Sequence, residues 1–188
     1  MFPLMLDVSA LPVMVIGGPS VAGRVAAMAR YGCTDVHVFC PTPDDGMNVP
    51  GAKIESRWPE AADFAAIHPK LVFVADVDEE RAVNLHAQAR ISGALVHVHD
   101  RIPLCDFHLP AIVRRGHLQV TVSTDGTAAG LSRHIREYLE KEVFGPEWAA
   151  RVDEVAAARK RWKQEGLSMS ALAQAIGDLI GAKGWLKK

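Results

Sequence analysis

Four short apolar runs, bounded by turn formers and separated by helix-length segments, limit what this chain can fold into. Pro12-Val13-Met14-Val15-Ile16, Asp35-Val36-His37-Val38-Phe39-Cys40, Leu71-Val72-Phe73-Val74-Ala75 and Leu95-Val96-His97-Val98-His99 are rich in β-branched residues and too short for buried helices, which marks them as strands. Continuous apolar character implies cover on both faces, as in a parallel sheet. The first run ends at Gly17-Gly18-Pro19, and a helix pattern follows to Tyr31, with Ser20 as its expected cap and Gly32 as its stop. Asp35 to Cys40 then completes a βαβ unit. Residues 42–51 are turn formers, Ala52 to Arg57 is a weak strand candidate, and helices are expected over Glu60 to Ile67 and Glu79 to Ile91. Strands alternating with helices in this way predict an α/β class, a doubly wound sheet over roughly the first 110 residues.

After Pro110 the pattern changes. Ile112-Val113, a basic turn at Arg114-Arg115-Gly116 and Leu118 to Val122 follow one another with no helix between, which predicts an antiparallel excursion. Helices are then expected over Ala129 to Phe144, Glu147 to Glu165, and from a Ser168 cap to about Ile180. The expected organisation is a nucleotide-binding domain over 1–111, a connecting segment over 112–145 and a small helical C-terminal domain over 146–188.

Charged residues make up 23% of the chain and the formal net charge is −1, so no global field draws it to nucleic acid or to an anionic membrane. The apolar N-terminus is broken by Pro3, Asp7 and Pro12 and has no basic leader, and no run reaches spanning length. Cys33, Cys40 and Cys105 are odd in number and unpatterned, so free thiols in a reducing cytoplasm are expected.

Gly17-Gly18-Pro19-Ser20-Val21-Ala22 stands between strand and helix, where a dinucleotide fingerprint belongs. Gly17 and Ala22 satisfy its outer positions, whereas Pro19 fills the middle one and removes an N–H from the place a diphosphate approaches. A plain βα turn is the competing reading. Gly18 to Ala22 also matches a loosened nucleophile elbow with Ser20 as nucleophile, but the glycine after the serine is missing. His97, His99, Asp100, Cys105, Asp106 and His108 crowd into twelve residues. His97 and His99 share a strand face and suit a transition metal, although no standard ligand spacing is met. Asp100 follows a strand of the parallel sheet, at the edge where open α/β folds bind ligands, and serves there either as an acid or base or as a turn residue. Between Arg101 and Lys141 six Lys or Arg face four acids, a local excess suited to a polycarboxylate or to a solvated helix face.

The run from Val96 to Asp100, the stretch Phe107-His108-Leu109-Pro110-Ala111-Ile112-Val113-Arg114-Arg115-Gly116 and the segment Thr124-Asp125-Gly126-Thr127 through Leu131 to Glu137 resemble the precorrin-2 dehydrogenase and sirohydrochlorin ferrochelatase family, the N-terminal part of siroheme synthases. The resemblance covers essentially the whole chain. It implies a Rossmann-type domain, a dimerisation segment and a helical C-terminal domain in a homodimer. It also implies NAD-dependent oxidation of precorrin-2 to sirohydrochlorin, and in some members insertion of Fe²⁺ as a substrate to give siroheme. By the same resemblance Gly17, Gly18, Ser20, Val21, Cys40 and Pro41 hold the cofactor, and Asp100 is the catalytic base. Arg114, Thr124, Gly126 and Arg133 fall to the tetrapyrrole, while a metal role for His97 and His99 rests on their imidazole chemistry alone and not on the resemblance. Four departures from the family pattern stand out: Pro19 for a third glycine, His97 and His99 for Asn and Val, Asp125 for a glycine, and Ala128-Ala129 for Ser-Pro.

Overall fold

The computed structural model describes residues 2–186, and the chain divides into two compact units, Met1–His108 and Leu109–Lys188. The first is built on five parallel strands: β1 (Val13–Gly17), β2 (Val36–Phe39), β3 (Ala52–Glu55), β4 (Leu71–Ala75) and β5 (Leu95–Val98), in the order β3-β2-β1-β4-β5. The expected doubly wound sheet is therefore present. Winding reverses between β3 and β4, so the carboxyl ends of β1 and β4 lie side by side at the switch point.

Helix α1 (Ala22–Arg30) covers one face, where Val13, Val15, Val25, Met28, Val38 and Phe73 form a buried cluster. Helices α2 (Ala61–Ile67) and α3 (Glu79–Ile91) belong to the other face, with Met14, Ile16, Phe64, Val74, Leu85 and Val96. Because no α-helix follows β5 within this unit, the α1 side of that strand has only partial cover, from Phe107: Val96 and Val98 are buried, while Leu95 is exposed and His97 half-buried. Its alternating pattern is that of a strand with one partly open face.

The helix predicted from Ser20 begins two residues later than expected. Residues Pro19–Val21 form a 3-10 turn capped at Gly18 without a side-chain bond, and α1 itself starts at Ala22. Pro19 favours the tight start because it fixes φ and has no N–H to satisfy. Ser20 is thus not a side-chain cap. The cap of α3 is Asp78, which accepts from Arg81 N, and α2 carries a reciprocal capping box between Glu60 and Asp63.

The second unit opens with an antiparallel hairpin, β6 (Ala111–Arg115) and β7 (Leu118–Val122), joined by Gly116-His117. Three helices follow: α4 (Ala129–Tyr138), α5 (Trp148–Gln164) and α6 (Met169–Lys183), the last capped by Ser168 as expected. A π-helical turn, Leu139–Val143, extends α4. Arg115 bonds to carbonyl oxygens at this turn, donating to Glu140 O at 3.2 Å and Phe144 O at 2.9 Å. Its third partner is the Glu140 carboxylate, at 3.2 Å.

Candidate functional site

At the carboxyl edge of the sheet, β1 ends in a residue only glycine can supply. Gly17 has φ +152°, and a Cβ there would fall 1.9 Å from the Ala75 carbonyl oxygen of β4. Close approach of the two strand ends leaves the turn at Gly18 against Asp76, whose Cβ would stand 2.9 Å from an added Gly18 Cβ.

Asp76, immediately after β4, has φ +54°, and its Oδ2 accepts a hydrogen bond from the Ser20 N–H at 2.9 Å. Val21 N donates to Gly18 O, and Pro19 has no N–H to offer. Of the three N–H positions at 19, 20 and 21, one is lacking and two are engaged within the protein. Chemically, the carboxylate occupies the position of an anion at a βα turn. Cys40 is buried after β2, its N–H bonded to Glu55 O, and Pro41 follows half-buried. Asp44, slightly late for a ribose contact, accepts from Gly46 N at 2.8 Å to cap a turn.

Asp100 lies two residues beyond the end of β5, with φ +59°, another aspartate in the left-handed region at this edge. Short polar side chains are the non-glycine residues that tolerate that region best. The Asp100 carboxyl is 88% exposed, with His99 Nε2 3.6 Å from it. His99 N remains bonded to Val74 O of β4, and Arg101, bonded to Val77 O and Glu79, fixes the chain just after.

His97 on β5 and His99 just beyond its end line the same pocket on the α1 side of the sheet, as their spacing predicts. The His97 Nδ1 lies 3.1 Å from Phe107 O, and its ring centroid is 5.6 Å from that of Phe107. Burial pushes the His97 imidazole below its usual pKa. Among the described residues no group of three or more His, Cys, Asp and Glu converges to hold a metal ion.

The tetrapyrrole residues expected from the resemblance lie in the second unit. The Thr124 hydroxyl is 3.0 Å from that of Ser132, which is buried, and it accepts from Ala128 N at the start of α4. Asp125 and Gly126 follow with φ +49° and +80°, so Asp125 adopts a left-handed conformation at a position where the resembled family carries glycine. Arg114 is on β6 opposite Gln119, and Arg133, exposed on α4, pairs with Glu137 at 2.9 Å. Sequence reasoning singled out neither Asp76 nor Arg24, both of which line this region of the first unit.

A parallel sheet with a glycine turn at its switch point is the architecture shared by dinucleotide-binding and other open α/β ligand-binding domains. The family described as "Putative NAD(P)-binding" matches residues 4–111, more than half of the chain, and the chain belongs to it. It is 31% identical over 153 residues to a siroheme synthase of Pseudoalteromonas atlantica, covering 76% of this chain and 31% of that protein. A siroheme synthase of Nitrosococcus oceani is 30% identical over 165 residues, 86% of this chain and 35% of the relative. The chain thus spans about a third of the length of these curated relatives. Among solved structures, SirC, a precorrin-2 dehydrogenase, superposes with a TM-score of 0.75 at 20% identity over 96% of this chain and 89% of that one, which establishes the shared fold.

Proposed function

We propose that the protein is a precorrin-2 dehydrogenase that uses NAD to form sirohydrochlorin in siroheme biosynthesis. The observation that carries this reading is the exposed Asp100 carboxyl, held after β5 at the same carboxyl edge as the Gly17-Gly18 turn. The likeness to siroheme synthases over most of the chain supports the substrate class. The proposed cofactor contacts are Gly17, Gly18, Ser20 and Val21 at the end of β1 and Cys40 and Pro41 after β2; Asp76 holds the Ser20 N–H and would have to release it for that group to reach a diphosphate. When bound, the nicotinamide supplies the hydride acceptor for a two-electron oxidation. Asp100 takes the accompanying proton, and its solvent exposure lets that proton pass to water. Arg114, Thr124, Gly126 and Arg133 are the proposed tetrapyrrole contacts of the second unit.

Purified protein given precorrin-2 and NAD⁺ should yield sirohydrochlorin and NADH in equal amounts. Asp100→Ala should lower turnover by at least about a hundredfold, the usual contribution of a general base, with an unchanged circular dichroism spectrum. Full activity in that variant would refute the role of Asp100.

Two observations favour companion readings. His99 beside Asp100 suits proton removal during insertion of Fe²⁺ as a substrate, which is the ferrochelatase reading. The Asp76 bond to the cofactor turn suits a tetrapyrrole-binding or chelatase-only relative with weakened NAD binding. Chelation without NADH formation would distinguish the latter from the dehydrogenase.

For assembly we propose a homodimer formed through residues 112–145, with 146–188 as the helical domain. Its support is a stripe on α4: Leu131, Ile135 and Tyr138 recur at helical spacing and are 54%, 37% and 62% exposed. Among the described residues no helix is long and apolar enough to cross a membrane.

A further inference from the structure

Because β5 is left partly open on the α1 side, a cavity of about 420 Å³ forms between that strand, β4 and α1. Its lining includes Arg24 and Arg30 from α1, His97 from β5, His99 just after that strand, Ser20 from the turn and Phe73 from β4. Four basic side chains meet there, and no acid is among the lining residues. Arg24 is half-buried, with its guanidinium carbon 5.0 Å from the Phe73 ring centroid, and among the described residues no carboxylate pairs with it. Burial disfavours its charge with no anion to offset the loss. A surface arginine would avoid this cost; here Phe73 orients the guanidinium within the cavity walls.

We propose that this cavity is an oxyanion-binding pocket in which Arg24, flanked by His97 and Ser20, holds a carboxylate or phosphate group of a ligand lying against Phe73. The planar guanidinium offers two parallel N–H donors to such a group. His97 supplies a neutral ring that donates or accepts, and the apolar floor excludes water from one side of the ion pair. The pocket lies along the first turns of α1, beside the Gly17-Gly18 turn, and its chemistry does not depend on whether the protein oxidises precorrin-2.

Citrate is the probe. Titrated into the full chain at constant ionic strength and pH, it should shift the NMR ring-proton signals of the His97 and His99 imidazoles saturably. Arg24→Met should weaken that binding about ten- to hundredfold, the loss expected for hydrogen bonds to a charged group. Arg24→Lys, which keeps the charge without the fork, should retain part of it and shows that the effect is not misfolding. A saturable shift that Arg24→Met removes upholds the pocket. No saturable shift in the native protein, or equal affinity in Arg24→Met, overturns it. Displacement of citrate by NAD⁺ assigns the site to a phosphate, and displacement by sirohydrochlorin assigns it to a carboxylate. NADH formation measured in parallel tests the dehydrogenase separately.

Discussion

The Asp76 carboxylate, 2.9 Å from the Ser20 N–H, puts negative charge where a diphosphate would approach. Asparagine keeps an acceptor oxygen and tolerates φ +54° while removing the charge. Asp76→Asn should therefore tighten NAD⁺ binding about tenfold in calorimetry, corresponding to roughly 1.4 kcal/mol of relieved repulsion. Unchanged or weaker binding would show that the turn is not where the diphosphate sits. This bond was hidden from the sequence because it joins residues 56 positions apart. The available signal was an aspartate directly after a buried strand, the same signal that marked Asp100. His97 gives a pH prediction. Burial is the main cause of its lowered pKa; Arg24, His99 and His108 act in the same direction, and the Phe107 carbonyl opposes them. Between the folded pKa and about 6.5 the unfolded chain binds more protons, so stability should rise with pH through that window and level off above it. Protonation below the window removes this share of stability. His97→Gln should flatten the rise in denaturation midpoints measured from about pH 5 to 7.5; an unaltered slope would assign it to other groups.

Elements were legible wherever burial on two faces left an unbroken apolar run, as in β1 and β4, or where a cap was local, as at Ser168. Legibility failed where distant partners decide. The start of α1 shifts because Pro19 tightens the turn, and Arg115 bonds the carbonyls of a π-helical turn from a strand 25 residues earlier. The stripe on α4 is an element-scale feature with its own test. An aspartate within it would bury a charge in any interface formed there, so Leu131→Asp should convert a dimer to monomers in sedimentation equilibrium. Helicity should persist because Leu131 is exposed within the single chain. A dimer that survives the change would place the interface elsewhere.

At the scale of the whole molecule, the sequence pattern changed at Pro110, close to the structural division between His108 and Leu109. The carboxyl-edge turn and Asp100 could be located from strand order, whereas the cavity beside Arg24 could not, because it depends on the partial cover over β5. The three cysteines carry a practical consequence. Cys33 and Cys40 are buried, Cys105 donates to the Val98 carbonyl, and all three belong to the first unit. Burial also raises the pKa of Cys33 and Cys105, which suppresses the reactive thiolate. The unaltered protein therefore carries a built-in clock: alkylation times the opening of the nucleotide-binding half, while the cysteine-free half stays silent.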